Sequence, residues 1–315
     1  MRSTVRAIAL VAAALSIAAR AEEGGSGHYL PGSMASFIDG APLAETLLLR
    51  LNAVDYNGDI SQNVPIPVAG STVADVDAGV TGFGLTMLWR PSWGGSGKWS
   101  YSMTATASYL WVDVDGAVNS TLGTVRRSDS VSGLGDLIVQ PMLLNYSVNP
   151  DFNINYRISL YAPTGSYQVG RLANAGKNFW TVEPTVGFMY FGQKNGREAS
   201  VFLAADFNQE NPDTDYKSGT QVHVDSTFAQ HLPLWSGLAG VGLSAFWYQQ
   251  VTGDSGAGAT FGDFKARTTG VGPVFSYIGK AGGNDLLTEF KWLHEMGVEK
   301  RLSGDTLFLK VAMKF

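Results

Sequence analysis

Four His, at positions 28, 223, 231 and 294, are the residues from which this chain would have to build catalytic or metal chemistry, because it contains no Cys. His223 and Asp225 stand two apart, so an extended strand places them on one face, where a carboxylate could orient an imidazole as a base. The nucleophile such a pair would activate is not on that face, since Ser226 projects to the other side. Asp213, Asp215 and Asp254 carry oxygens suited to Ca²⁺, but no segment has EF-hand spacing, and a solvated acidic rim accounts for them. Gly79, Gly82 and Gly84 precede no helix and make no phosphate cradle. With 22 Lys+Arg against 27 Asp+Glu, the net charge of −5 leaves no basic footprint for nucleic acid. The expectation is a chain with no catalytic residue, no cofactor, no resident metal and no nucleic-acid partner.

The elements that position these side chains begin after residue 21. Arg2 and Arg6 precede an apolar run from Ala7 to Ala19 that ends in Ala19-Arg20-Ala21, the pattern of a secretory signal cut before Glu22. That run is too short to span a bilayer as a helix, and no later stretch reaches the roughly 18 apolar residues required. The remainder alternates with a period of two. Trp99, Tyr101, Met103, Ala105, Ala107, Tyr109 and Trp111 share one face, with Ser100, Ser102, Thr104, Thr106 and Ser108 on the other. At about 3.3 Å per residue, Tyr101 to Tyr109 spans roughly 26 Å and Trp99 to Trp111 roughly 40 Å. A tilt near 40° reduces these to about 20 and 30 Å, which brackets the apolar band of an outer-membrane barrel with its aromatic edges.

Twelve segments alternate in this way: 44–55, 76–90, 98–114, 134–147, 152–164, 178–192, 197–208, 218–232, 237–252, 264–278, 285–296 and 305–315. The intervening gaps alternate between long (56–75, 115–133, 165–177, 209–217, 253–263, 297–304) and short (91–97, 148–151, 193–196, 233–236, 279–284). An even strand count with short inner turns and longer outer loops is the topology of a single-chain bacterial barrel. The expected fold is therefore all-β, a transmembrane antiparallel barrel over 44–315, preceded by a non-strand segment, 22–43, that either enters the barrel as a plug or trails as a periplasmic leader. The long gaps hold Asp55, Asp59, Asp129, Asp213, Asp215, Asp254 and Asp263, so an acidic outer rim is expected. Pro141, Pro184 and Pro273 fall inside strands and call for bulges or shifted boundaries. The fourth and tenth segments alternate poorly.

Where alternation is clean, the polar face marks the lumen. Arg50, Asn153, Asn155, Arg157, Glu183, Asp206, His223, Asp225, Glu289, Lys291 and Lys310 oppose apolar faces and are expected to line it. Toward lipid an Arg or Lys would cost about 2 to 4 kcal/mol at the midplane. Mixed signs allow either a salt-bridged filling that closes the barrel or a polar path. The chain ends in Leu307, Leu309, Val311, Met313 and Phe315 on one face, which is similar to the C-terminal signal of the barrel-insertion machinery, with Met313 where an aromatic is preferred.

Several segments carry a resemblance. They are His28-Tyr29-Leu30-Pro31-Gly32, Gly133-Leu134-Gly135-Asp136, Tyr161-Ala162-Pro163-Thr164-Gly165 with Tyr167, Gly176-Lys177-Asn178-Phe179-Trp180, Asn211-Pro212-Asp213-Thr214-Asp215-Tyr216, Phe246-Trp247-Tyr248-Gln249-Gln250-Val251-Thr252-Gly253-Asp254 and Gly262-Asp263-Phe264-Lys265. In order and spread they cover nearly all of the chain after the leader. Together they resemble the bacterial outer-membrane family named for the MetA pathway of phenol degradation, often described as transporters. The resemblance implies an outer-membrane barrel associated with the use of aromatic or other hydrophobic compounds, and brings no list of binding residues. On the residues themselves, Tyr161, Tyr167, Phe179, Trp180, Tyr216, Trp247, Tyr248 and Phe264 are expected near the outer ends of strands, as an aromatic mouth or as the lipid-anchoring girdle. The function expected is passive uptake of small hydrophobic, including aromatic, compounds across the outer membrane, with membrane lipid and the insertion machinery as partners. A non-transporting structural or adhesion barrel and an outer-membrane hydrolase using His223 are the alternatives.

Overall fold

The computed structural model describes residues 23–60, 66–120, 123–259 and 265–315. The leader read at 1–21, and the mouth residue Phe264, lie outside the described residues. The described residues form one closed antiparallel sheet. Its strands in chain order are β1 (Thr46–Ile60), β2 (Ile66–Val68), β3 (Ser71–Arg90), β4 (Gly95–Ser96), β5 (Trp99–Ser120), β6 (Gly123–Leu134), β7 (Leu137–Asn149), β8 (Phe152–Ala162), β9 (Thr181–Phe191), β10 (Arg197–Asn208), β11 (Gln221–Leu234), β12 (Gly237–Gln250), β13 (Arg267–Ala281), β14 (Asn284–Glu299) and β15 (Ser303–Lys314). β1 pairs with β3 on one side and β15 on the other, which closes the ring and removes both sheet edges. β2 and β4 are short ribbons at the rims. β5 pairs with β6 along its outer half and with β7 along its inner half, so β6 and β7 are two lengths of one wall strand broken at Gly135-Asp136. The wall is a twelve-strand barrel.

Alternation sets the faces. On β3, Phe83, Leu85, Met87 and Trp89 are exposed on the outside, while Thr86, Leu88 and Arg90 between them are buried. On β14 the same alternation puts Phe290 and Trp292 out and Lys291 and Leu293 in. Among the described residues no helix is long and apolar enough to cross a membrane.

Two expected loops, 56–75 and 115–133, are in large part strand. β1 runs on to Ile60, β3 starts at Ser71, and β5 with β6 makes a tall outer hairpin. Asp55, Asp59 and Asp129, read as loop acids, are therefore strand residues. The hairpin escapes a periodicity search because it needs no greasy outer face: β6 is exposed along nearly all its length. It is held by polar cross-strand pairs, among them Arg126–Asp77 at 3.0 Å and the Ser128 hydroxyl donating to Asp115.

The three prolines behave differently. Pro141 sits in a bulge, with the register shifting between Val139 and Met142 against β8. At Pro184 and Pro273 the register is unchanged, but the ladder toward β10 lacks rungs between Ala204↔Thr185 and Phe207↔Val182, and that toward β14 between Val271↔His294 and Val274↔Lys291. A missing N–H removes rungs without forcing an extra residue into the strand.

Candidate functional site

Residues 23 to 45, which do not alternate and form only two short 3-10 turns, η1 (Glu23–Gly25) and η2 (Phe37–Asp39), run through the interior as a strap. At the outer end Asn211 Nδ2 donates to Glu23 at 2.9 Å and Lys177 Nζ donates to Ser26 Oγ at 2.8 Å. Below them His28 sits 2.7 Å from Thr181 Oγ1 and 2.9 Å from Asp136 Oδ2, stacked on Tyr161 with Phe179 edge-on. The Tyr29 hydroxyl donates to Asp225 at 2.6 Å, and the ring lies flat on that of His223. At the inner end Ser100 Oγ donates to Pro42 O at 2.8 Å, just before the chain turns into β1.

An irregular backbone in a water-poor interior must find partners for its N–H and C=O groups outside any ladder. Wall side chains of both signs supply them. Acids accept from the strap: Gly32 N–H donates to Asp225 at 2.9 Å and Phe37 N–H to Glu198 at 2.8 Å. Bases donate to it: Lys291 Nζ reaches Met34 O at 2.8 Å and Arg157 Nη2 reaches Asp39 O at 2.8 Å. The Asp39 carboxylate is clamped by Lys310 and Arg50, each at 2.9 Å. Gly32 is at φ +82°, and a Cβ there would lie 2.1 Å from Leu293 Cδ1, so only glycine seats the strap at this point.

All eleven polar residues singled out on the strands face the interior. Arg50, Arg157, Asp225, Lys291 and Lys310 hold the strap as described. Glu289 balances Lys310 at 3.3 Å and Lys291 at 3.6 Å. Asn155 donates to Asn145, which donates to Asn153, near the inner rim. Glu183, Asp206 and His223 converge on one buried cluster. The strap residues His28 and Asp39 and the wall partners Asp136 and Glu198 were not among the residues singled out for the lumen.

The strap leans on β9 to β11, β14 and β15, and two adjacent cavities remain on its other side. The outer one, about 330 Å³, is walled by apolar side chains of β1, β3 and β5, including Val54, Val80, Leu110, Val112 and Val114. The inner one, about 240 Å³, is also mainly apolar, with Leu30, Val54, Leu110, Ile138 and Phe308 in its wall, but Thr86, Thr104, Thr106 and Gln140 line it too and the Asp39–Lys310–Arg50 clamp floors it. His28, Leu30, Leu110 and Tyr161 border both.

The aromatic residues expected at the mouth divide. Tyr161 and Tyr167 border the outer cavity. Phe179, Tyr216 and Tyr248 are buried in packing, the last beneath the Arg301 guanidinium. Trp180 and Trp247 are exposed, and Trp247 lies on the opposite face of β12 from Tyr248. Loop 163–180 is tied to the outer hairpin by Asp129, which accepts from Arg171 at 2.6 Å and 3.1 Å and from the Leu172 and Ala173 N–H groups. The Arg171 hydrogen bonds and those N–H groups hold the Asp129 carboxyl down at about 2. Leu172, fixed by this clamp, lines the outer cavity.

A closed twelve-strand antiparallel barrel with a greasy outer surface is the architecture of outer-membrane barrels. The chain belongs to the family described as "Putative MetA-pathway of phenol degradation", which it matches over residues 59–311. Its fold is similar to that of an outer membrane channel from Pseudomonas putida F1, with 16% identity and a TM-score of 0.65 over 88% of this chain and 97% of that one. It is also similar to the β domain of the Bordetella autotransporter BrkA, with 11% identity and a TM-score of 0.50 over 86% of this chain and 100% of that one. No curated protein matches the chain in sequence.

Proposed function

We propose that this protein is a narrow outer-membrane channel that passes small hydrophobic compounds, aromatic ones included, inward down their gradient. The observation that carries the reading is the apolar chamber of about 330 Å³ at the outer side of the strap. That volume is at the lower end of ligand pockets, suited to a solute of one or two rings. Apolar walls shed poorly held water when such a solute enters, worth about 25 cal/mol per Å² covered, and the stacked Tyr161 and His28 rings border the chamber. The second chamber below, also mainly apolar but bordered by Thr86, Thr104, Thr106 and Gln140, would carry the same solute on toward the inner end. Membership in a family named for phenol degradation agrees with this solute class. The fold supports a location in the bacterial outer membrane, and the leader expected at 1–21 and the exposed terminal Phe315 just after β15 agree with it. The reading treats the chain as a channel without catalytic residues. It is tested by comparing uptake of a small aromatic solute in cells with and without the gene: slower uptake on deletion, restored by the gene, is expected, and unchanged uptake would overturn it.

A further inference from the structure

The strap does not use every buried polar group of the wall. His223 is wholly enclosed, its ring packed beneath Tyr29, and neither ring nitrogen makes a hydrogen bond. Three carboxylates face it. Nε2 is 3.5 Å from Asp206 Oδ2 and 4.0 Å from Glu183 Oε2, and Nδ1 is 3.6 Å from Asp225 Oδ2. A charge-assisted N–H···O bond would draw these atoms to about 2.7 to 2.9 Å. Nε2 and Asp206 stand instead at the separation of two ligands on one ion, since bonds of about 2.0 to 2.2 Å in a tetrahedral site put donor atoms roughly 3.3 to 3.6 Å apart, and Glu183 is a few tenths of an ångström beyond it. One donor atom from each of Glu183, Asp206 and His223 lies within 4.8 Å of the other two, so no side of the triangle needs to close by more than about 1.5 Å.

We propose that Glu183, Asp206 and His223 bind a divalent transition-metal ion, Zn²⁺ or one of similar ligand preference, inside the barrel wall. The donor set of one imidazole and two carboxylates suits such an ion and disfavours Mg²⁺ and Ca²⁺, which seek oxygen alone. The ligands come from three neighbouring strands, β9, β10 and β11, so the barrel's own register assembles the site: His223 pairs with Ala204, two residues from Asp206 on the same face. Asp225 stands on the far side of the ring, 3.6 Å from Nδ1, where closing by about 0.8 Å would make it the carboxylate that fixes a ligating imidazole through its other nitrogen. Asp225 also accepts from Tyr29 and Gly32, so an ion on His223 is linked through one carboxylate to the strap. Glu183 borders the inner cavity, which gives the ion a way in and a water for its fourth position. Arg157 leaves the site free by turning to Asp39 and Asn155.

The test uses the full-length protein purified from outer membranes, stripped with EDTA, loaded with Zn²⁺ and dialysed, with metal counted per chain. Co²⁺ loading reports geometry through its visible absorption. One retained ion per folded chain is expected, with a tetrahedral Co²⁺ spectrum. His223→Gln and, independently, Asp206→Asn should weaken binding at least tenfold, while His294→Gln, an exposed ring paired with Asp305, should change nothing. The unboiled band on an SDS gel shows that each barrel is folded. No retained ion in the wild-type chain, or equal retention in folded His223→Gln, would overturn the proposal.

Discussion

At the scale of single residues, the strap rests on a few contacts that tolerate no substitute. Gly32→Val places a side chain where Leu293 already lies. The expected result is a folded barrel with the strap displaced and a severalfold rise in planar-bilayer conductance; unchanged conductance would show that the strap does not restrict the pore. Asp39 is a second such point, since its removal leaves Arg50 without its carboxylate and Lys310 with only Glu289. Breaking a buried ion pair from one side costs about 3 kcal/mol or more, so Asp39→Ala should unfold at clearly lower denaturant in a gel-shift assay. The inward polar residues were legible from alternation alone because each opposes an apolar face. What they bind was not legible: Lys291 and Arg157 meet carbonyl oxygens of a segment that has no period, and nothing in its spacing says which wall residue it will pass. The cluster at His223 was half visible, through the pair with Asp225. Its partners Glu183 and Asp206 are neighbours only once strand register is known.

At the scale of elements, two pieces carry the outer cavity, the strap and loop 163–180. The loop's clamp has a pH signature with a definite sign. Asp129 titrates at about 2 in the folded chain and near 3.9 when unfolded. A depressed carboxyl stabilises fully above the unfolded value and loses its contribution as pH falls through the folded one. Pepsin should therefore spare the loop at pH 4 and cut it near pH 2, while Asp129→Asn should be cut at both; equal protection of the variant at pH 4 would remove the clamp from the account. The sequence showed the aromatic stripe of β5 clearly because lipid demands an apolar face there. It hid the outer continuation of β5 and β6, where water on both sides removes that demand and cross-strand polar pairs do the holding.

At the scale of the whole molecule, closure was readable from an even strand count and alternating loop lengths, and both follow from the need to leave no sheet edge in hydrocarbon. Whether the barrel was full or open was not readable, because mixed interior charges serve equally to close a lumen on itself or to seat a strap. The geometry gives the second answer and leaves two mainly apolar chambers, an outer and an inner, with Leu110 bordering both. The most direct test fills that boundary. Uptake of a labelled one-ring aromatic solute should be measured in cells carrying no gene, the wild-type gene or Leu110→Trp, with folded protein in the outer membrane confirmed for both. The account predicts rapid uptake with the wild-type chain and a fall of about tenfold, toward the level of the deletion, with Leu110→Trp. Equal uptake in all three strains would contradict it.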